Sequence, residues 1–199
     1  MMRMMRTNKP TSNDGRGFWV GWTLAFLGFP LGGLATWTLL GPITTPLAGA
    51  TGGALTGTVL GAVQWLALRR GLPLSPWWIA ATALGMATGL ALGIVLVGTR
   101  TDDVTLPLRG LITGVSIGMG QFLVLRSISG RAPVWVLIVA LGWALGWTIT
   151  RAVGIDLSQQ WTVFGSSGAL VFQLLSGVAL SWTLRPGRSA PGSQAELAA

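Results

Sequence analysis

Uncharged apolar runs of about twenty residues alternate with short clusters of Arg, Pro, Gly and Ser along almost the whole chain. A helical crossing of a bilayer core takes about 20 apolar residues. The run 17–68 contains no charged residue, which is long enough for two crossings around a turn at Gly41-Pro42-Ile43-Thr44-Thr45-Pro46. It predicts a first helix over about 18–40 and a second over about 47–68. Arg69 and Arg70 end the second, and Leu72-Pro73-Leu74-Ser75-Pro76 forms a short link with Pro placed to start a third helix over about 77–97. The cluster Thr99-Arg100-Thr101-Asp102-Asp103 precedes a fourth apolar run ending at Leu125. A fifth helix is predicted over about 133–150 and a sixth over about 161–184. The expected architecture is all-α, with six transmembrane helices in one domain over 17–185, a basic tail over 1–16 and a disordered Ser/Gly/Pro/Ala-rich tail over 186–199. The basic start resembles a signal-peptide n-region, but the apolar run behind it is about twice the usual length and lacks a clean small-residue cleavage site, so it reads as an anchor.

The loop cations orient these spans. Arg3, Arg6, Lys9, Arg16, Arg69, Arg70, Arg126, Arg131, Arg185 and Arg188 fall on one side. Arg100, Arg109 and Arg151 fall on the other, offset by Asp102, Asp103 and Asp156. The positive-inside rule then places both termini in the cytoplasm, in a bacterial inner membrane. Trp19, Trp22, Trp65, Trp77, Trp78, Trp135 and Trp182 fall near the cytoplasmic ends, as headgroup-level anchors do, whereas Trp143 and Trp147 are expected deeper. Arg109, just inside the fourth run, reads as a side chain snorkelling to the interface. Asp102 and Asp103 read as a solvated pair balancing Arg100 and Arg109.

The chain also repeats itself. Leu27-Gly28-x-x-x-Gly32, Leu84-Gly85-x-x-x-Gly89 and Leu141-Gly142-x-x-x-Gly146 are each 57 residues apart. Gly61-Ala62-Val63-Gln64-Trp65-Leu66-Ala67-Leu68-Arg69 matches Gly118-Met119-Gly120-Gln121-Phe122-Leu123-Val124-Leu125-Arg126 at the same displacement. A third copy, 177–185, follows after 59 residues and carries Leu180 in place of Gln. The units, about 17–72, 73–129 and 130–188, are three tandem helical hairpins entering the membrane from the same side. They predict a pseudo-threefold bundle about the membrane normal, unlike the in-plane axis of inverted repeats. With Gln64, Trp65, Arg69, Trp78, Gln121, Phe122, Arg126 and Trp135 carrying the pattern, residues 18–185 resemble uncharacterised bacterial multi-pass membrane proteins built of tandem Gly/Trp-rich helical hairpins. The third unit departs most. The resemblance implies a membrane-embedded hairpin architecture and brings no activity, substrate or cofactor.

Composition narrows the chemistry. Of 199 residues 51% are hydrophobic and only 9% charged, with 30 Gly and 11 Trp, against about 25% charged in soluble domains. The chain has no Cys, His or Tyr, which removes disulfides, thiolate zinc sites, imidazole ligation and Ser/His or Cys/His nucleophile systems. The net charge of +8 belongs to membrane topology and not to nucleic acid, because its cations sit between apolar runs. No Asp, Glu or Lys falls within a span, so neither catalysis nor a metal or other cofactor is expected.

Glycine rows supply the main structural signal. Gly49, Gly53, Gly57 and Gly61, then Gly85, Gly89 and Gly93, then Gly110, Gly114 and Gly118 each mark one helix face where backbones approach closely in lipid. Gly28, Gly32, Gly142, Gly146 and Gly177 are further packing candidates. Gln64, Gln121 and Gln173 either bridge helices or line an axial polar site with Thr56, Thr113 and Ser176. Arg69, Arg126 and Arg185 form a candidate ring for headgroups or an anion. Three functions fit: an accessory or assembly subunit packing against other membrane proteins or itself, a passive channel or small-solute permease with an axial site, and a binder of an apolar molecule such as a lipid, quinone or carotenoid. The lipid bilayer is the partner common to all three.

Overall fold

Proline, glycine and capping side chains set the helix ends in the computed structural model, which describes residues 13–154 and 166–183. The first rod comprises α1 (Asn13–Leu24), a tight 3-10 turn (Ala25–Leu27) and α2 (Gly28–Leu40). It corrects the expected single uninterrupted helix, and Pro30 is the reason. Proline has no N–H for the carbonyl of Phe26 and its ring crowds that carbonyl, so the preceding turn tightens. Gly28 N–H reaches both Ala25 O and Phe26 O there.

Five further helices follow: α3 (Pro46–Leu68), α4 (Trp77–Val97), α5 (Thr105–Leu125), α6 (Ala132–Ala152) and α7 (Ser166–Thr183). Thr45 caps α3 by accepting from Ala48 N–H at 3.2 Å, with Pro46 in the first turn. Asp102 caps α5. The exits of α2, α4 and α6 turn on Gly41, Gly98 and Gly154, with φ of 70°, 88° and 77°, a left-handed backbone that glycine adopts without a Cβ clash. The expected start of the sixth helix at Trp161, and with it Leu184, residues 1–12 and the tail 186–199, lies outside the described residues, whereas 13–16, expected in the basic tail, belong to α1.

All described secondary structure is helical. Four segments, Gly15–Leu40, Trp77–Val97, Thr105–Leu125 and Ala132–Ala152, are long and apolar enough to cross a membrane. Their outer faces carry large exposed apolar side chains, such as Leu39, Leu84, Leu96 and Leu137, as lipid-facing surfaces do. Consecutive helices pack side by side from α2 through α7, and α7 returns against α1 to close the ring.

Glycine makes these contacts close. On α3, Cβ atoms built at Gly57 and Gly61 would lie 2.7 Å from Ala83 Cα and 3.0 Å from Ile79 Cα of α4. On α5, Gly114 and Gly118 meet Ala140 and Val136 of α6 in the same way, at 2.7 and 2.9 Å. Gly53 and Gly110 likewise back onto Met86 and Trp143. Each α3–α4 contact recurs between α5 and α6 with both members displaced by 57 positions. On the other side of each hairpin, Gly28 and Gly32 meet Leu60 and Thr56, Gly85 and Gly89 meet Ile117 and Thr113, and Gly142 and Gly146 meet Phe172 and Gly168. The last set puts α7 in register with α5 at a displacement of 55, in place of the 59 suggested by Gly177 and Arg185. Leu68, Leu125 and Leu180, all fully buried, follow the same register. Gly93 lies against the Arg109 side chain, and Gly177 against Trp19 and Trp22.

The indoles correct a second expectation. Trp22, Trp78 and Trp135 are 0%, 0% and 1% exposed, so they are core and not headgroup anchors. Trp77, at 73% exposed, and Trp182 do face outward, while Trp143 is buried.

Candidate functional site

The bundle has two unlike halves. The half nearest the connections that hold Arg69, Arg70, Arg126 and Arg131 is filled. There Trp78 Nε1 donates to Gln64 Oε1 at 3.3 Å, and Trp135 Nε1 donates to Gln121 Oε1 at 2.8 Å. Gln121 Nε2 continues to Thr82 Oγ1 at 2.9 Å, and Thr82 donates to Trp78 O. In the third pairing Trp22 Nε1 donates to the backbone carbonyl of Gln173, and Gln173 Nε2 donates to that of Trp22, both at 2.8 Å. Gln64 Nε2 reaches Gln173 Oε1 at 3.5 Å. All three glutamines are buried. Each even helix (α3, α5, α7) thus supplies a glutamine to a tryptophan on the next helix round the ring, and Leu60, Leu68, Ile117, Leu125 and Leu180 pack among them.

The opposite half is hollow. A cavity of about 210 Å³ reaches the α2–α3 connection at Gly41 and Ile43 and the α4–α5 connection at Thr99 and Thr101. Every rod contributes to its wall. Phe29, Gly33, Thr36 and Trp37 come from α2, Thr56 from α3, Met86 and Leu90 from α4, and Leu106, Arg109 and Thr113 from α5. Trp143, Trp147 and Thr150 on α6 and Phe172 on α7 complete it. None of the three glutamines is on this wall.

Arg109 reads differently here from its expected place at the interface. Its stem rests on Gly93, it lines the cavity, and its Nε is enclosed without a hydrogen-bond partner. The acids serve elsewhere. Asp102 pairs with Arg100 at 2.9 Å and accepts from the Val104 and Thr105 backbone N–H groups. The Thr105 hydrogen bonds hold its carboxyl below the usual value. Asp103 pairs at 2.7 Å with Arg151 in the last turn of α6, and not with Arg109. Among the described residues no carboxylate lines the cavity.

Unmet hydrogen bonds gather on the same wall. Five described residues hold a buried side-chain polar atom without a partner, and Arg109, Thr113, Trp143 and Thr150 are four of them, beside Ser167. The contact displacements account for the two threonines. Thr36 and Thr56 face each other and share a hydrogen bond of 2.8 Å. Displaced by 57, Thr56 becomes Thr113 while Thr36 becomes Gly93, leaving Thr113 alone. Displaced by a further 57 and 55, Gly93 becomes Thr150 while Thr113 becomes Gly168, leaving Thr150 alone. Other helical threonines, among them Thr58 and Thr148, bond the carbonyl four residues back, whereas Thr113 and Thr150 do not.

Of the remaining cations expected to form a ring, Arg69 is exposed and stacked over Trp65 at 4.7 Å, and Arg126 is exposed. Arg185 lies outside the described residues. Sequence reasoning missed Thr150 and the inward face of Arg109. Aligning the threonines at the contact registers of 57 and 55 would have shown two hydroxyls deprived of their partners. Compared with known proteins, the chain matches no family model, no curated protein and no solved structure.

Proposed function

We propose that this chain is a non-enzymatic multi-pass protein of the bacterial inner membrane that takes a small solute into its intramembrane cavity, a permease whose site is reached from one end. The carrying observation is the cavity itself, walled by every rod and shut at the far end by Trp22, Trp78, Trp135 and their glutamines. A passive pore needs an opening at both ends, so one-sided access favours a carrier with a gate.

Six spans arranged as three parallel hairpins about an axis along the membrane normal complete the reading. The recurrence of the glycine contacts at fixed displacements and the return of α7 onto α1 support it. With the cation-rich connections in the cytoplasm, the cavity faces the outside. An accessory subunit that packs through its glycine rows needs some of them free to receive another protein. Those rows are occupied by the chain's own helices, which shifts the weight to the cavity.

Gly33 provides the test, because it lines the cavity and a Cβ there meets nothing within 4 Å. Gly33→Leu is expected to fill the space without disturbing packing. In proteoliposomes loaded with a panel of small neutral, cationic and anionic solutes, the natural chain should speed the efflux of at least one class, and Gly33→Leu should slow it about tenfold. No accelerated efflux of any solute, or equal efflux with Gly33→Leu, overturns the permease.

A further inference from the structure

We infer that the solute is a small apolar monocarboxylate, held by Arg109 with Thr113, Thr150 and Trp143 as further donors; this rests on the permease reading of the same cavity. Hydrogen-bond chemistry carries the inference. The guanidinium Nε–H and the indole Nε1–H can only donate, and each hydroxyl has a proton to give. All four groups lack partners, and Thr113, Thr150 and Trp143 are 1%, 0% and 7% exposed. Enclosed donors of this kind are costly to leave unmet, and an ionised acceptor satisfies them best. A single cation with no carboxylate beside it among the described residues asks for one negative charge.

The remainder of the wall sets the body of the ligand. Phe29, Trp37, Met86, Leu90 and Phe172 are apolar or aromatic, so the part carrying the carboxylate is apolar. A cavity of about 150 Å³ accommodates benzene, and about 210 Å³ leaves room for a ring with its carboxylate, far short of a phospholipid.

The wall also departs from threefold symmetry. Phe29, Met86 and Trp143 occupy one repeat position, and Gly33, Leu90 and Trp147 another. The packing glycines recur from unit to unit while the side chains at these two cavity positions differ. A scaffold that repeats around a wall that does not is suited to one ligand in one orientation.

Benzoate and its neutral isostere benzamide are the probes, titrated calorimetrically into the full chain in nanodiscs. Benzoate should bind about tenfold or more tightly than benzamide, the scale of a charge-assisted hydrogen bond. Arg109→Gln should bring the ratio of the two affinities close to one by weakening benzoate far more than benzamide, and Arg109→Lys should restore part of it. Matching thermal unfolding of the variants and the natural chain is the readout that separates lost binding from misfolding. Where a variant unfolds early, the benzoate-to-benzamide ratio of the natural chain alone decides. Equal affinities, no benzoate binding, or a ratio unchanged by Arg109→Gln overturns the carboxylate while leaving a permease for uncharged solutes intact. An absence of any solute efflux that Gly33→Leu can slow removes the permease itself.

Discussion

At single positions, small residues decide where backbones meet and where hydroxyls are stranded. A Cβ built at Gly114 would lie 2.7 Å from Ala140 Cα and from Val139 O, and neither backbone atom can swing aside as the end of a side chain can. Gly114→Ala is therefore expected to push α5 and α6 apart and to destabilise the protein by about 1–3 kcal/mol, the usual range for overpacking. Gly33→Ala, which adds the same methyl over open space, is the matched control and should be close to neutral. Reversible unfolding in mixed micelles would compare them, and equal stability of the two variants would show that the close approach is dispensable. The same scale accounts for the stranded hydroxyls. Glycine stands opposite Thr113 and Thr150 where Thr36 and Thr56 face each other, at Gly93 and at Gly168, so the partner hydroxyl is lost while Gly168 backs closely onto Gly146.

At the level of helices, much was legible and some was not, for physical reasons. The ends of α3 and α4 follow Pro46, Arg69, Pro76 and Gly98, residues whose backbone or charge leaves little choice. The 3-10 turn before Gly28 was also written in Pro30, but proline is tolerated in apolar spans when neighbours re-satisfy the freed carbonyl, so its presence alone does not announce a break. Inward faces were harder to read, because lipid-facing and core-facing residues are both apolar and no amphipathic stripe separates them. Trp22, Trp78 and Trp135 therefore looked like interface anchors, and only their glutamine partners show them to be core. Those partners also join helices. Gln121 accepts from Trp135 on α6 and donates to Thr82 on α4, and Gln121→Leu removes both bonds. The expected loss is about 1 kcal/mol per bond or somewhat less, given the modest strength of side-chain bonds between spans. Trp135→Phe combined with Gln121→Leu should cost less than the sum of the two single changes, since the indole N–H is no longer left unmet. Strict additivity in that cycle would show the pair to be energetically unlinked.

For the whole molecule, the distribution of charge and the position of the cavity make a joint statement about sidedness. Ten of the thirteen cations fall in residues 1–16 and 185–199, the α3–α4 connection and the α5–α6 connection. Ser129 donates to Thr183 O at the end of α7, and Arg131 donates to Trp182 O, so the α5–α6 connection and the exit of the last helix are physically one end. The cavity reaches the other end, where Arg151 and Asp103 pair. If short cationic connections are retained in the cytoplasm, the cavity is supplied from outside and its Trp-lined floor is the barrier facing inward. The chain contains no cysteine, so single cysteines report without background. Cysteine placed at Thr101, on the cavity rim, is expected to react with a membrane-impermeant maleimide on intact cells. Cysteine at Ser127, exposed between α5 and α6, should react only after the membrane is opened. The reverse pattern would invert the molecule and make the cavity a cytoplasmic one, and reaction of both on intact cells would remove the odd number of crossings that must separate Thr101 from Ser127.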